Sequence, residues 1–205
     1  MVKAKNIVIG ITGTMTSGKA AIRYFLIDRG FISIRFTRPI LNEGLKRKKD
    51  MTNRDNWLKI LAEIRRKKGT DILSKMASKK IKENERYVVC PIRYPEDIKY
   101  FKKLYNALVI FIDAPFDTRY KRTLVKELGS NMSKDEFKKK DKFEASPTGK
   151  DKKYLPDMNG CRKLADEIIM NDGSLNKLNE KLEKILRKYK IPDLINTDSY
   201  DDFDI

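Results

Sequence analysis

Ile7-Val8-Ile9-Gly10-Ile11-Thr12-Gly13-Thr14-Met15-Thr16-Ser17-Gly18-Lys19-Ala20 is the stretch on which the fold turns. An apolar run of strand length leads into G-x-x-x-x-G-K. A segment of helical periodicity follows over Ala20–Arg29, with Ala21, Tyr24 and Phe25 on one face. Strand, glycine-rich turn and helix in that order form the context a phosphate-binding loop requires. Glycines let the backbone curl until successive N–H groups point at one anion, and the helix N-terminus adds its dipole and unpaired donors. Gly13, Thr14, Met15, Thr16, Ser17, Gly18, Lys19 and Ala20 are therefore the expected cradle, with Lys19 placed to reach the outer phosphates. The pattern ordinarily closes on Ser or Thr, whose hydroxyl binds magnesium. Ala20 stands there instead, so phosphate cradling is expected and metal positioning is weakened.

Working outward, four more short apolar runs punctuate the chain: Phe31–Ile34, Tyr87–Pro91, Ala107–Ile112 and Glu167–Asn171. Helical patterns separate them, the clearest being Leu175, Leu178, Leu182, Ile185 and Leu186. Continuous apolar strands alternating with helices predict a parallel five-stranded sheet covered on both faces, a three-layer α/β architecture. Residues 38–82 read as a basic, mainly helical excursion between the second and third strands. Residues 129–163 are polar and broken by Gly129, Pro147, Gly149, Pro156 and Gly160. They predict a mobile insertion or lid with one helix near Ser133–Phe143. No linker divides the chain, so residues 1–192 are expected to form one domain, followed by an acidic, disordered tail at 193–205.

Composition narrows the function classes. The 205 residues carry a net charge of +17, and the five acids from Asp193 onward have no Lys or Arg beside them, which leaves +22 on residues 1–192. Such a field favours polyanions: nucleotides, nucleic acid or acidic lipid surfaces. A coat of solvated lysines explains it equally well. No aromatic interleaving supports base readout by the basic runs, so nucleic acid stays an open partner resting on charge alone. The absence of histidine excludes imidazole acid–base chemistry and imidazole metal ligands. Cys90 and Cys161 have no zinc or redox spacing. No stretch reaches the roughly 20 apolar residues of a membrane span, and no signal-type segment leads the chain; a soluble, cytoplasmic protein is expected.

Four further segments resemble the dephospho-CoA kinase and nucleoside monophosphate kinase group of P-loop proteins: Thr37–Glu43, Thr52–Leu58 with Glu63-Ile64-Arg65, Val88–Asp97, and Leu164–Ser174. With Asp113-Ala114-Pro115, Arg119 and Arg122, the resemblance spans about residues 6–188. It implies a P-loop kinase fold with an acceptor-side helical insertion and a short lid, and transfer of phosphate from ATP to a nucleotide-type acceptor. Lys19, Arg93, Arg119 and Arg122 would be the catalytic cations, and Arg38, Arg54 and Arg93 would face the acceptor. Arg65 would join Arg54 there unless it lies on a solvated helix face. Arginine suits these places because its planar fork binds phosphate oxygens at several points.

The departures from that group are equally informative. Its acid after the second strand aligns with Arg38, and its acid at the end of the third strand aligns with Cys90. Together with Ala20, three oxygens that would organise magnesium are gone, and no side chain is assigned to a metal. Any magnesium would be held through phosphates and water. Cys90 reads as a buried small hydrophobe. Trp57, Phe36 and Tyr94 read as core or rim packing, and Asp141 and Glu144 as ordinary charges on the lid helix. Three functions remain open: a kinase, a nucleotide-binding protein without turnover, and a nucleic-acid binder on a P-loop fold.

Overall fold

The computed structural model describes residues 6–126 and 132–192, the side chains of Thr37, Arg54 and Lys126 excepted. The expected tail at 193–205 and the Gly129–Asn131 part of the expected lid lie outside the described residues. Five strands, β1 (Ile7–Gly13), β2 (Ile32–Arg35), β3 (Arg86–Ile92), β4 (Leu108–Asp113) and β5 (Glu167–Met170), form one parallel sheet in the order β2-β3-β1-β4-β5. β1 lies at the centre, paired with β3 on one side and β4 on the other. Its C-terminal end therefore opens into a crevice between two diverging connections, where open parallel sheets bind ligands.

Side chains alternate across this sheet into two cores. Val8, Tyr87, Val89, Ile92, Val109 and Phe111 face one way, toward α3 (Arg54–Lys68), α4 (Ile72–Ser78) and α5 (Pro95–Tyr105). Ile9, Ile11, Val88, Cys90, Ile110 and Ile112 face the other, toward α1 (Lys19–Ile27) and α9 (Leu175–Lys188). Burial on both faces is why the strands read as unbroken apolar runs instead of alternating ones. α9 presents Leu178, Leu182, Ile185 and Leu186 to that second core, each buried, and burying one such side chain contributes about 1.5–3 kcal/mol. Its N-terminus is fixed by Ser174, whose hydroxyl accepts from the Lys177 N–H; a cap of this kind contributes about 1 kcal/mol.

Between β2 and β3 the chain forms α2 (Thr37–Lys46), α3 and α4. The run after β4 holds α6 (Phe116–Lys126), α7 (Lys134–Ala145), a single 3-10 turn at Lys152–Tyr154 and α8 (Met158–Leu164). α7 starts in a reciprocal cap: the Ser133 hydroxyl accepts from the Glu136 N–H, and the Glu136 carboxylate accepts from the Ser133 N–H. α8 was not expected from the sequence. Met158 and Cys161 are 2% and 0% exposed, so Met158–Leu164, inside the expected lid, packs on the core. No described helix is long and apolar enough to cross a membrane.

Candidate functional site

The loop after β1 is built around two residues that need glycine. Gly13 has φ +139°, and a Cβ there would lie 2.0 Å from the Ile112 carbonyl oxygen of neighbouring β4. Gly18 has φ +110°, and a Cβ would lie 2.3 Å from the Asn171 amide nitrogen. No side chain can be fitted at either place without moving the backbone or its brace. Between them the chain turns through Thr16 at φ +53°. The Thr16 hydroxyl donates to the Arg119 carbonyl at 2.7 Å, which anchors the turn to α6. The Asn171 amide donates to the Ser17 carbonyl at 2.8 Å, and an Arg122 guanidinium nitrogen lies 3.4 Å from the same oxygen. α1 then begins at Gly18 without a side-chain cap.

An uncapped helix start beneath a loop of this curvature presents backbone donors and a positive dipole end to the crevice. The Lys19 ammonium donates to the Gly13 carbonyl at 2.9 Å and also to the Thr14 carbonyl, so it spans the loop. Ser17 is fully buried, and its hydroxyl has no hydrogen-bond partner among the described residues. The Thr14 hydroxyl donates to Asp113 Oδ1 at 2.8 Å. Asp113, at the end of β4, also accepts from the Ala114 N–H at 2.9 Å and from Arg162 of α8 at 2.7 Å. Arg162 carries no signal in the sequence, because α8 was not legible there.

Two of the three arginines expected around phosphate are held by carboxylates of α7. Arg119, only 6% exposed, pairs with Asp141 through both terminal nitrogens, and its Nε donates to the Ala114 carbonyl. Arg93 donates to Glu144 at 2.7 Å, and the Glu144 side chain is only 3% exposed. Asp141 and Glu144 are thus not ordinary helix-face charges; their guanidinium partners on other elements fix their place. Arg122 is half-buried beside the loop.

Arg93 also lines a cavity of about 230 Å³ beside the end of β3, with Phe36, Trp57, Leu58, Leu73 and Tyr94 among its walls. Phe36 and Tyr94 are buried, as core packing predicts, yet both present a face to this space. Arg65 does not join them. It is fully buried behind Tyr94, its guanidinium 3.6 Å from that ring's centroid, and it donates to Asp97 at 3.0 Å. Ser74 donates to the other Asp97 oxygen at 2.6 Å. Burial pushes Asp97 up to about 6, against the pull of Arg65. Arg38 is exposed and lines a separate hollow of about 160 Å³ with Arg35, Asn42 and Lys80. The Arg54 side chain lies outside the described residues.

Cys90 is 4% exposed and packs in the α1-facing core. Burial pushes its thiol up to about 11, although the charges of Lys19, Arg23, Arg93 and Arg35 pull it down. The thiol is therefore protonated at neutral pH. Magnesium takes hard oxygen ligands in octahedral geometry. Around Lys19 the chain offers the Ala20 methyl, a neutral Cys90 thiol, the Thr14 and Thr16 hydroxyls, which already donate elsewhere, the Ser17 hydroxyl, and the Asp113 carboxylate, which accepts from Thr14, Ala114 and Arg162. Among the described residues no three His, Cys, Asp or Glu side chains gather as a metal site. The hard side-chain oxygens at the loop are the Asp113 carboxylate and the hydroxyls of Thr14, Thr16 and Ser17, so a magnesium ion there would take most of its ligands from phosphates and water.

No family model matches the chain. A UPF0200/UPF0201 protein of Archaeoglobus fulgidus is 27% identical over 188 residues, covering 88% of this chain and 55% of that protein, so the chain spans about half of that relative's length. A UPF0200 protein of Sulfurisphaera tokodaii is 26% identical, with 88% and 96% covered. Among solved structures, shikimate kinase from Acinetobacter baumannii in complex with shikimate matches with a TM-score of 0.55 at 13% identity, over 92% of this chain and 97% of its own. Shikimate kinase from Bacteroides thetaiotaomicron matches with a TM-score of 0.55 at 12% identity, over 88% and 98%. Identities this low speak for the fold alone. The chain has a P-loop kinase-like α/β fold.

Proposed function

We propose that this chain binds the phosphates of ATP in the Gly13–Lys19 loop and transfers the terminal phosphoryl group to a nucleotide-type acceptor, a nucleoside monophosphate or dephospho-CoA. The observation that carries this reading is the loop itself. Two glycines that tolerate no Cβ and an uncapped α1 lie under Lys19 at the crevice of a parallel sheet. The aromatic cavity ending at Arg93 supports the acceptor class, because ring faces suit a planar base better than a polyol. In this account Lys19 holds the outer phosphates, and Arg119 or Arg122 screens the group in transit. Arg93, with Arg38 and Arg54, attracts the acceptor's own phosphate. An acceptor oxygen bonds to the γ-phosphorus, and the bond to the β-phosphate oxygen breaks with its electron pair leaving on the diphosphate. The acceptor's proton passes to solvent or to a phosphate oxygen.

A second reading is a nucleotide-binding protein without turnover, and one observation favours it. Asp141 and Glu144 occupy the two arginines that transfer would use, and Cys90 stands where a carboxylate would activate the acceptor. A screen of ATP against nucleoside monophosphates and dephospho-CoA, read as diphosphate release and phosphorylated product, separates the two. Product from any acceptor supports transfer. ATP binding with no product across the panel supports the second reading.

A further inference from the structure

Arg65 is fully buried, although Arg66, Lys67 and Lys68, which follow it at the end of α3, are exposed. Its guanidinium carbon lies 3.6 Å from the centroid of the Tyr94 ring. NH1 donates to Asp97 Oδ2 at 3.0 Å, and NH2 comes within 3.9 Å of Glu96. Ser74 of α4 donates to the second Asp97 oxygen at 2.6 Å, so α3, α4 and α5 meet in one buried polar cluster. The Nε and NH2 groups of Arg65 have no hydrogen-bond partner among the described residues. Stability alone does not ask for this arrangement. Taking charges out of water is costly, and apolar side chains of similar volume commonly fill such a place without loss of stability. What a guanidinium adds is a flat, charged face that stacks on an aromatic ring.

Tyr94 is the ring so held. Its hydroxyl donates to the Tyr154 carbonyl at 3.2 Å, so the ring is fixed at its tip as well as on the face toward Arg65. It lines the cavity beside the end of β3, and so does Arg93, its neighbour in sequence. The Arg93 carbonyl accepts from the Asp157 N–H at 3.0 Å, which leaves this stretch of backbone little freedom. Resting on the acceptor reading above, we propose that Arg65 is a positioning residue for the acceptor: it holds the Tyr94 ring, and with it the adjoining Arg93, where the acceptor's base and phosphate are received. Arg65 lies behind the cavity wall and acts through Tyr94. A binding group keeps its geometry only when the residues behind it are themselves locked, and Asp97 and Ser74 lock Arg65.

The test is calorimetric titration of AMP and of dephospho-CoA into the full chain as wild type, Arg65→Met, Tyr94→Leu and the double variant. ATP is titrated into each as the reference, with circular dichroism and melting temperature confirming the fold. Arg65→Met should weaken binding of the acceptor probe about tenfold, close to 1.4 kcal/mol, and leave ATP affinity within about twofold. In the Tyr94→Leu background the same change should cost no more than about twofold, because its effect runs through that ring. Should Arg65→Met not fold, Arg65→Met combined with Asp97→Asn, which removes both buried charges together, takes its place in both backgrounds. Unchanged acceptor affinity in the folded variant overturns the inference and leaves the acceptor reading standing. Equal losses for ATP and acceptor, or the full loss in the Tyr94→Leu background, overturn it too, since Arg65 would then support the domain as a whole. Binding of neither acceptor probe by the wild type overturns the acceptor reading and this inference together.

Discussion

Asp141 of α7 and Arg119 of α6 meet in a two-point ion pair, with NH1 2.5 Å from Oδ1 and NH2 2.8 Å from Oδ2. The pair is largely buried, with side-chain exposures of 22% and 7%. A carboxylate in that position presents two oxygens to the guanidinium much as a phosphate would. It therefore ties α7 to α6, and under the proposed function it would compete with a phosphate for the same fork.

Asp141→Asn should separate these two effects. Losing the charge leaves a buried guanidinium poorly paired, so stability should fall by about 1–3 kcal/mol, read by urea unfolding. ATP affinity should rise about threefold, because the internal competitor is gone. A variant that is less stable and also binds ATP more weakly would mean that the pair supports the site and does not block it.

Asp97 gives a pH dependence whose sign differs from that of an exposed carboxylate. Burial raises its folded-state value to about 6 from 3.8. The folded state therefore binds the proton more tightly than the unfolded state between those values. The stability that Asp97 contributes is fully present below about 4 and is lost as pH rises to about 6. Measured as the difference between wild type and Asp97→Asn, stability should decline across that window and then level off. A difference that grows with pH would show that Arg65 and Ser74 outweigh desolvation.

Trp57 forms one wall of the cavity that holds Arg93 and lies outside the phosphate loop. Trp57→Ala should raise the acceptor KM about tenfold, the loss of about 1.4 kcal/mol of ring contact. It should leave the Kd for ATP within twofold, about 0.4 kcal/mol. Equal losses for both ligands would place the acceptor elsewhere or show that α3 supports the whole crevice.

The sheet was legible because its strands are buried on both faces. That burial writes an unbroken apolar run, and each of the five runs falls within one or two residues of the observed strand. The loop after β1 was legible because its two glycines and Lys19 are local in sequence. α8 was not, since Pro156 and Gly160 read as loop signals, while the burial of Met158 and Cys161 is decided by distant neighbours. Arg65 belongs to a basic run, Arg65–Lys68, that looks solvated; its burial depends on Asp97, 32 residues away. The ion pairs of Arg119 with Asp141 and of Arg93 with Glu144 likewise leave no local pattern, being 22 and 51 residues apart.

The central claim is that Gly13–Lys19 holds the phosphates of a nucleotide, and Lys19 is where that claim is most exposed. Calorimetric titration of ATP into wild type and into Lys19→Ala, both checked for native circular dichroism and melting temperature, tests it directly. The account predicts at least a tenfold loss of affinity in the variant, about 1.4 kcal/mol. Equal affinity in a folded Lys19→Ala protein would contradict it.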